Sequence, residues 1–313
     1  MATTEQLLVL IRSHVNNDDE MFRRVALQIA AAEAKSGHTV SAANIHEAIS
    51  SKPVKPMLKM TPVNGDMADL LMVCDKRFRL KDLVVSEEIR MKVERVIQEY
   101  IEQDKLHKYN LENRRKILLY GASGTGKTMT AEILASELNL PFILVRTDKI
   151  VTKFMGETGL KLGRVFDAMP SMPAVYLFDE FDAIGSQRGM DNEVGEQRRI
   201  LNTFLQLLEH DTSGSIIVAA TNNVTALDKA LFRRFDDTIE YKLPQQDEIM
   251  ELLQRELCRE KNVPFLSLLD YFKGMSHAEI KMVCSDARKE AILYNKEINE
   301  ALIASLVKGR KLA

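Results

Sequence analysis

The chain is poor in cysteine, and its three thiols (Cys74, Cys258 and Cys284) stand far apart, with no CxxC pair and no histidine at ligand spacing. That excludes a disulfide framework and a zinc site as the basis of the fold, and the thiols read as reduced groups of a cytoplasmic protein. Long apolar runs are also missing. No stretch reaches the roughly 18 residues that a membrane span needs. The opening MATTEQLLVLIRSHVNNDDE has no basic n-region and only a short apolar run, so it is no secretory signal. Charge of one sign is lacking too: the formal net charge is −2, which offers nucleic acid no global basic field. There is no HExxH and no serine or cysteine protease signature, no internal repeat and no low-complexity tract. What remains is a chain of 313 residues with 45% apolar and 28% charged residues, long enough for two or three domains whose cores need no staples.

Residues 1–50 read as helical. Met21, Phe22, Val25, Ala26, Ile29 and Ala30 recur at helical spacing, Asp18 or Asp19 can cap the start, and Gly37 suits the stop. A shorter helix with Leu7, Leu8 and Ile11 precedes this one and another follows Ser41, giving a small all-helical N-terminal domain. The proline-containing SKPVKPMLKMTPVNGD then marks a domain boundary, and residues 51–75 read as an extended linker. An amphipathic helix over Ser86–Leu106 follows. After it, short apolar runs at Ile117–Tyr120, Phe142–Val145, Val175–Phe178, Ile216–Ala219 and Ile239–Tyr241 alternate with helical segments. This alternation predicts an α/β domain over 76–244, with a central, mainly parallel, five-stranded sheet covered on both faces. Residues 245–313 carry helical patterns over 247–261, 276–294 and 297–308, which read as a helical C-terminal domain.

The strand ending at Tyr120 runs into GASGTGKT (Gly121, Ala122, Ser123, Gly124, Thr125, Gly126, Lys127, Thr128), and Met129 continues into a helix. Strand, Gly-rich turn, Lys-Thr and helix in that order are what a phosphate-binding loop requires. The glycines let backbone N–H groups point inward at a helix N-terminus, which makes an anion site. Lys127 can reach the β- and γ-phosphates of a nucleotide, and the Thr128 hydroxyl can ligate Mg²⁺.

Two further strand ends carry polar chemistry. PAVYLFDEFD delivers Asp179 and Glu180 to the C-terminal end of an apolar strand, where ligands bind in open α/β sheets. Asp179 suits the metal role and Glu180 the base that polarises an attacking water. Asp182 is as well explained by capping or an ion pair. SIIVAATNN ends a buried strand at Thr221-Asn222, from which Asn222 could hold that water; its distance from the other motifs separates it from an ordinary turn. Downstream, LDKALFRRFDD sets Arg233 and Arg234 side by side. They are either a surface ion-pair cluster with Asp236 and Asp237 or a source of an arginine that offsets γ-phosphate charge in a neighbouring subunit. Their order in the chain does not choose between the two arginines.

Strand-GASGTGKT-helix, LFDEFD, AATN and LFRRFD, in this order over residues 76–313, resemble the AAA family of the AAA+ class, whose members include katanin, spastin, FtsH and the proteasomal ATPases. The resemblance implies a P-loop NTPase fold with a helical C-terminal lid, Mg-ATP as ligand and a ring of subunits, most often six. It assigns TKFMGE to the first pore loop, with Lys153, Phe154 and Met155 gripping an extended polypeptide, core packing being the plain alternative for Phe154. Residues 185–196 match a second pore loop in place. The lid stretch Gly274–Glu279, with His277 and Ala278, corresponds to the family turn beside the nucleotide. Asp82–Val85, with Asp82 and Val84, corresponds to the segment facing the adenine. The chain departs from the pattern in three places: Ala122-Ser123 replaces Pro-Pro, no Pro-Gly separates the arginines, and His277 replaces a glycine. None of these removes a catalytic group, and the lid has no second-sensor arginine.

The combined expectation is an ATP-driven protein-remodelling motor, an unfoldase, translocase or disassembly chaperone. It would act as a ring homo-oligomer on a protein substrate, with residues 1–50 docking that substrate or a separate protease or effector. Two other classes stay open: an ATPase associated with nucleic acid, opposed by the charge balance, and a slow ATP-dependent switch that assembles a complex without threading anything.

Overall fold

All five apolar runs expected as strands lie in one sheet. The computed structural model describes residues 8–10, 13, 19–38, 41–45, 66–151, 157–181, 194–223, 229–258 and 263–311. The chain divides into two compact units, Met1–Thr61 and Pro62–Ala313.

In the first unit, helix α1 spans Asp19–Lys35. It buries Val25, Ala26, Ile29 and Ala30, the stripe that the helical spacing marks. Gly37 takes φ +84°, and the His38 N–H donates to the Glu33 carbonyl at 3.0 Å. That is the left-handed stop that a helix C-terminus favours in glycine.

The second unit holds the sheet. Its strands are β1 (Leu71–Cys74), β2 (Lys116–Gly121), β3 (Phe142–Val145), β4 (Val175–Phe178), β5 (Ile216–Thr221) and β6 (Asp237–Tyr241), in the spatial order β1-β3-β4-β5-β2-β6. The expected count of five becomes six. β1 comes from the stretch read as linker, and it pairs antiparallel with β3 from Leu71–Val145 to Cys74–Phe142. A four-residue edge strand with two exposed side chains, Met72 and Val73, has neither the length nor the alternation by which a sequence announces a strand. All other pairings are parallel. Every residue of β4 and β5 is buried, which is why these strands read as unbroken apolar runs.

Longer helices surround or follow the sheet. They are α2 (Glu87–Ile101), capped by Ser86, α3 (Lys127–Glu137), α4 (Glu157–Ala168), α5 (Val194–His210) and, in the lid, α6 (Gln246–Glu256). The lid continues through short turns at Phe265–Phe272 into α7 (His277–Tyr294) and α8 (Glu300–Lys311). It has an apolar core of its own, with Leu253, Phe272, Ile280, Val283 and Ile303 fully buried. The segment Asp82–Val85 is the seam between the two cores. Leu83 and Val85 pack with the sheet, whereas Val84 packs with the lid, the two-residue alternation of extended backbone.

Candidate nucleotide site

The sheet order places the site. β5 enters between β2 and β4, although it follows both in the chain. The C-terminal end of β5, with Asn222, therefore lies between the phosphate loop after β2 and the acidic end of β4. The register fixes the alignment: Tyr120 pairs with Thr221, and Phe178 with Ala219. The crossover brings together strand ends that stand far apart in the chain, the neighbourhood in which Asn222 was expected.

The phosphate loop is held from several sides. Gly121 (φ +136°), Gly124 (φ +71°) and Gly126 (φ +107°) all lie in the left-handed region, which costs glycine nothing and other residues about 1 kcal/mol or more. A side chain at Gly121 would meet the Tyr241 carbonyl oxygen at 2.0 Å. The Ala122 N–H donates to that same carbonyl at 3.3 Å, which anchors the loop to β6. At the other side, the Gly124 carbonyl accepts from the Ala278 N–H at 2.9 Å, and a side chain at Gly124 would come within 2.8 Å of the Ser276 hydroxyl. The loop thus leaves no room for a Cβ where the lid docks on it. Lys127 is buried, and its ammonium donates to the carbonyls of Gly121 at 3.0 Å and Ala122 at 2.7 Å.

The Thr128 hydroxyl donates to Asp179 Oδ2 at 2.7 Å, and Asp179 Oδ1 accepts from the Glu180 N–H at 2.9 Å. Both oxygens of one carboxylate are thus committed, one to the phosphate loop and one to its neighbour's backbone. Glu180 has φ +47°, an unusual value for a residue other than glycine and one that clusters at functional sites. That turn separates the two adjacent carboxylates: Asp179 faces the loop, and Glu180 stands exposed. Among the described residues no group of three or more His, Cys, Asp or Glu could hold a metal by itself. The Thr128–Asp179 oxygen pair is the kind of donor set that completes Mg²⁺ coordination together with phosphates.

The lid closes the site at the N-terminus of α7. Ser276 and Glu279 form a reciprocal cap: the Ser276 N–H donates to Glu279 Oε2 at 2.6 Å, and the Glu279 N–H to the Ser276 hydroxyl at 3.4 Å. Next to it both His277 ring nitrogens are buried without a well-formed hydrogen bond. Burial pushes the imidazole down to about 4, with the Val84 backbone pulling weakly upward and Lys281 adding to the fall. A neutral imidazole on the wall of the cleft can offer one nitrogen as donor and the other as acceptor.

That burial has a measurable consequence. The folded value lies below the unfolded 6.5, so the unfolded chain takes up the proton first. Stability from this group is complete above about pH 6.5 and is lost as pH falls toward 4. Relative to a His277→Gln variant, the wild type is expected to lose on the order of 1–2 kcal/mol of unfolding free energy by pH 5. Urea unfolding of both proteins at pH 7.5 and pH 5 checks this, and a difference that does not change with pH would refute it.

Together these elements line a cleft of about 340 Å³ bounded by Asp82–Val84, Ser123–Met129, Asp179, Glu180, Asn222, Leu252, His277, Ala278 and Lys281. That volume is in the usual range for a small-molecule site. The cleft gathers most of the residues marked in the sequence. Gly121 and Ala122 are not on its wall; they shape the loop and bind Lys127 from behind. Leu252 and Lys281 line it without having been expected, whereas Leu83 belongs to the segment expected to face the base. Leu252 is an ordinary core leucine by pattern, and Lys281 shows only as the residue one turn beyond His277.

The arginine pair marked in the sequence lies elsewhere. Arg233 and Arg234 follow the short helix Lys229–Phe232 and precede β6. In the register with β2, Asp237 lies opposite Ile117, and Tyr241 opposite Gly121. A strand of about 13 Å therefore separates the arginine turn from the phosphate loop of its own subunit. Lys153, Phe154 and Met155 lie outside the described residues, as do Asp182 and most of 185–196.

The family model described as ATPase family associated with various cellular activities (AAA) matches residues 117–243. The AAA family ATPase y4kL of Sinorhizobium fredii is 30% identical over 307 residues, covering 95% of this chain and 92% of that protein. The chain is an AAA family ATPase. Within the family it is also similar to the proteasome-activating nucleotidase of Thermococcus onnurineus, at 38% identity over 61% of this chain and 50% of that protein. The ATP-dependent zinc metalloprotease FtsH 2 of a Thermoanaerobacter species is 32% identical over 71% of this chain and 46% of its own length. This AAA ATPase therefore spans about half the length of those two relatives. The crystal structure of the FIGL-1 AAA domain superposes with a TM-score of 0.61 at 20% identity, covering 77% of this chain and 85% of that one, which shows the shared fold. The predicted P-loop α/β fold, the nucleotide-binding assignment and ATP hydrolysis all stand on these relations. Among the described residues no helix of this AAA ATPase is long and apolar enough to cross a membrane.

Proposed function

We propose that this AAA ATPase is a ring-forming protein-remodelling motor whose hydrolytic sites lie between subunits. What carries the reading is the split of the site. Phosphate loop, carboxylates and Asn222 line one cleft, while the exposed Arg233 and Arg234 sit at the far end of β6 and cannot serve that cleft. A neighbouring subunit would supply the arginine. Such a heterologous contact generates rings.

Within the cleft, the amides of 121–126 and Lys127 would bind the phosphates of ATP, and Asp82, Val84, His277 and Ala278 would face its base. Thr128 and Asp179 would hold Mg²⁺, which would supply positive charge against the charge that develops on the phosphates. Glu180 would polarise the attacking water while Asn222 positions it. The chain's part is thus positioning and electrostatic stabilisation.

Phe154, flanked by Lys153 and Met155, would couple hydrolysis to movement of a polypeptide through the ring, most often a hexamer in this family. Residues 1–50 would dock the substrate, or a separate protease in a cytoplasmic setting. The similarity to the proteasome-activating nucleotidase and to FtsH 2 supports a proteolytic partnership. Phe154→Ala is expected to retain ATP turnover within about twofold and to lose unfolding of a fluorescent reporter that carries a disordered tail, because Phe154 belongs to none of the motifs assigned to the nucleotide. Unfolding at the wild-type rate would refute the threading role. Mass measurement of the assembled ring in ATP counts the subunits.

A further inference from the structure

The two arginines are neighbours in sequence but occupy different environments. Arg234 forms an ion pair with Glu209 at the C-terminal end of α5. Arg233 is exposed and makes no hydrogen bond or ion pair among the described residues.

The turn that carries them is fastened at several points. Phe235 is buried beneath it. The Asp236 Oδ2 atom accepts the N–H groups of Arg115 at 2.8 Å and Lys116 at 2.9 Å. The Asp236 N–H donates to the Lys116 carbonyl at 2.8 Å. Lys116 in turn donates from its ammonium to the Glu209 carbonyl at 3.2 Å. The Arg115 guanidinium donates to the Asp211 carboxylate at 2.8 Å and to its carbonyl at 3.2 Å. That last pair is well buried, with 13% and 3% of the side chains exposed. Charge-assisted bonds in such a setting are the stronger kind, and removing one partner leaves the other uncompensated.

We infer that Asp236 and the Arg234–Glu209 pair are positioning groups that aim Arg233 at the neighbouring subunit's cleft. Arg233 is the donor in this arrangement and Arg234 a strut. The clamp fastens the arginine turn to the first residues of β2, the strand whose other end becomes the phosphate loop. Each subunit's own nucleotide loop and the arginine it lends are thereby mounted on one six-residue strand. This rests on the reading that the arginine acts in trans, and the test separates the two.

Asp236→Asn keeps its own cleft but misaims its turn; Lys127→Ala loses its own cleft but presents an intact turn. Asp236→Asn alone is expected to lose at least about tenfold in kcat with an almost unchanged KM for ATP, since the groups that bind ATP lie at the other end of the sheet. Mixed one to one with Lys127→Ala, activity should return to about a quarter of wild type, the share of interfaces at which a sound cleft meets a sound turn. Arg233→Ala mixed with Lys127→Ala is the control.

Rescue of both mixtures supports the inference. Rescue of the control alone, or wild-type kcat in Asp236→Asn, overturns it. Rescue of neither overturns action in trans and the inference with it. Should Asp236→Asn fail to bind nucleotide through misfolding, Glu209→Gln takes its place with the same outcomes, because it frees Arg234 without touching the backbone clamp. The division of labour is read separately. Arg234→Lys can still pair with Glu209 and should keep more than half of wild-type kcat, whereas Arg233→Lys loses the planar fork and should fall with Arg233→Ala. Equal losses in the two lysine variants would overturn the assignment of Arg233 as donor.

Discussion

Lys127→Ala is expected to lose nucleotide binding. The lysine is buried, and its ammonium is already held by two carbonyls of its own loop. It therefore meets a triphosphate as a desolvated, pre-placed cation that pays little side-chain entropy on binding. Removing one partner of a buried, charged hydrogen-bonded pair costs about 2–5 kcal/mol, which is roughly thirty- to several-thousand-fold in Kd. The loop itself should survive. Its shape is set by three left-handed glycines, by the Ala122–Tyr241 anchor and by the Gly124–Ala278 bond, none of which involves the lysine side chain. Titration with a fluorescent ATP analogue, alongside circular dichroism, separates lost binding from lost folding. A Kd within threefold of wild type would sink the assignment of GASGTGKT as the nucleotide loop.

Glu180→Gln is expected to bind ATP as wild type does and to turn it over about 10²–10⁴ times more slowly, the usual worth of a general base. The prediction is sharp because the two adjacent carboxylates are placed so differently. Asp179 is bound to Thr128 and to the Glu180 N–H, so changing it would disturb the metal donors and the loop together. Among the described residues Glu180 is bonded through its backbone N–H, and the left-handed turn leaves its side chain exposed at the cleft. The glutamine is isosteric, keeps that backbone bond and removes only the ability to take a proton. Single-turnover hydrolysis with the Kd measured in parallel checks both halves. Turnover above about a tenth of the wild-type rate would mean that another group activates the water. On the proposed ring reading, the slow variant should also hold the assembled ring on its substrate long enough to capture it.

How far the sequence alone reaches is clear residue by residue. The phosphate loop was legible because its chemistry is local. Glycines at 121, 124 and 126, then Lys127-Thr128, specify a turn and its donors within eight residues, whatever the rest of the chain does. The strands β2 to β6 were legible because burial on both faces demands unbroken apolar runs. Helix α7 was legible through the helical pattern over 276–294, close to its bounds in the structure. The end of α1 was legible through Gly37, the one residue type that takes a left-handed turn without cost.

Longer-range features were not. The edge strand β1 pairs across more than 60 residues of chain, through backbone bonds that carry no side-chain code. Leu83 and Val84 look alike as sequence, and only packing sends one into the sheet core and the other into the lid. His277 was visible as a departure from a pattern, but its two unsatisfied nitrogens are a property of the walls around it. Arg233 and Arg234 were indistinguishable as a dipeptide; the ion pair of Arg234 with Glu209 divides them, and that partner meets the arginine only once the sheet has folded. The sequence by itself thus determined which groups are available for ATP chemistry, because that information sits in short motifs with their own geometry. The tertiary structure decided which of those groups meet, because the entry of β5 between β2 and β4 sets three strand ends side by side and leaves the arginine turn at the other end of the sheet.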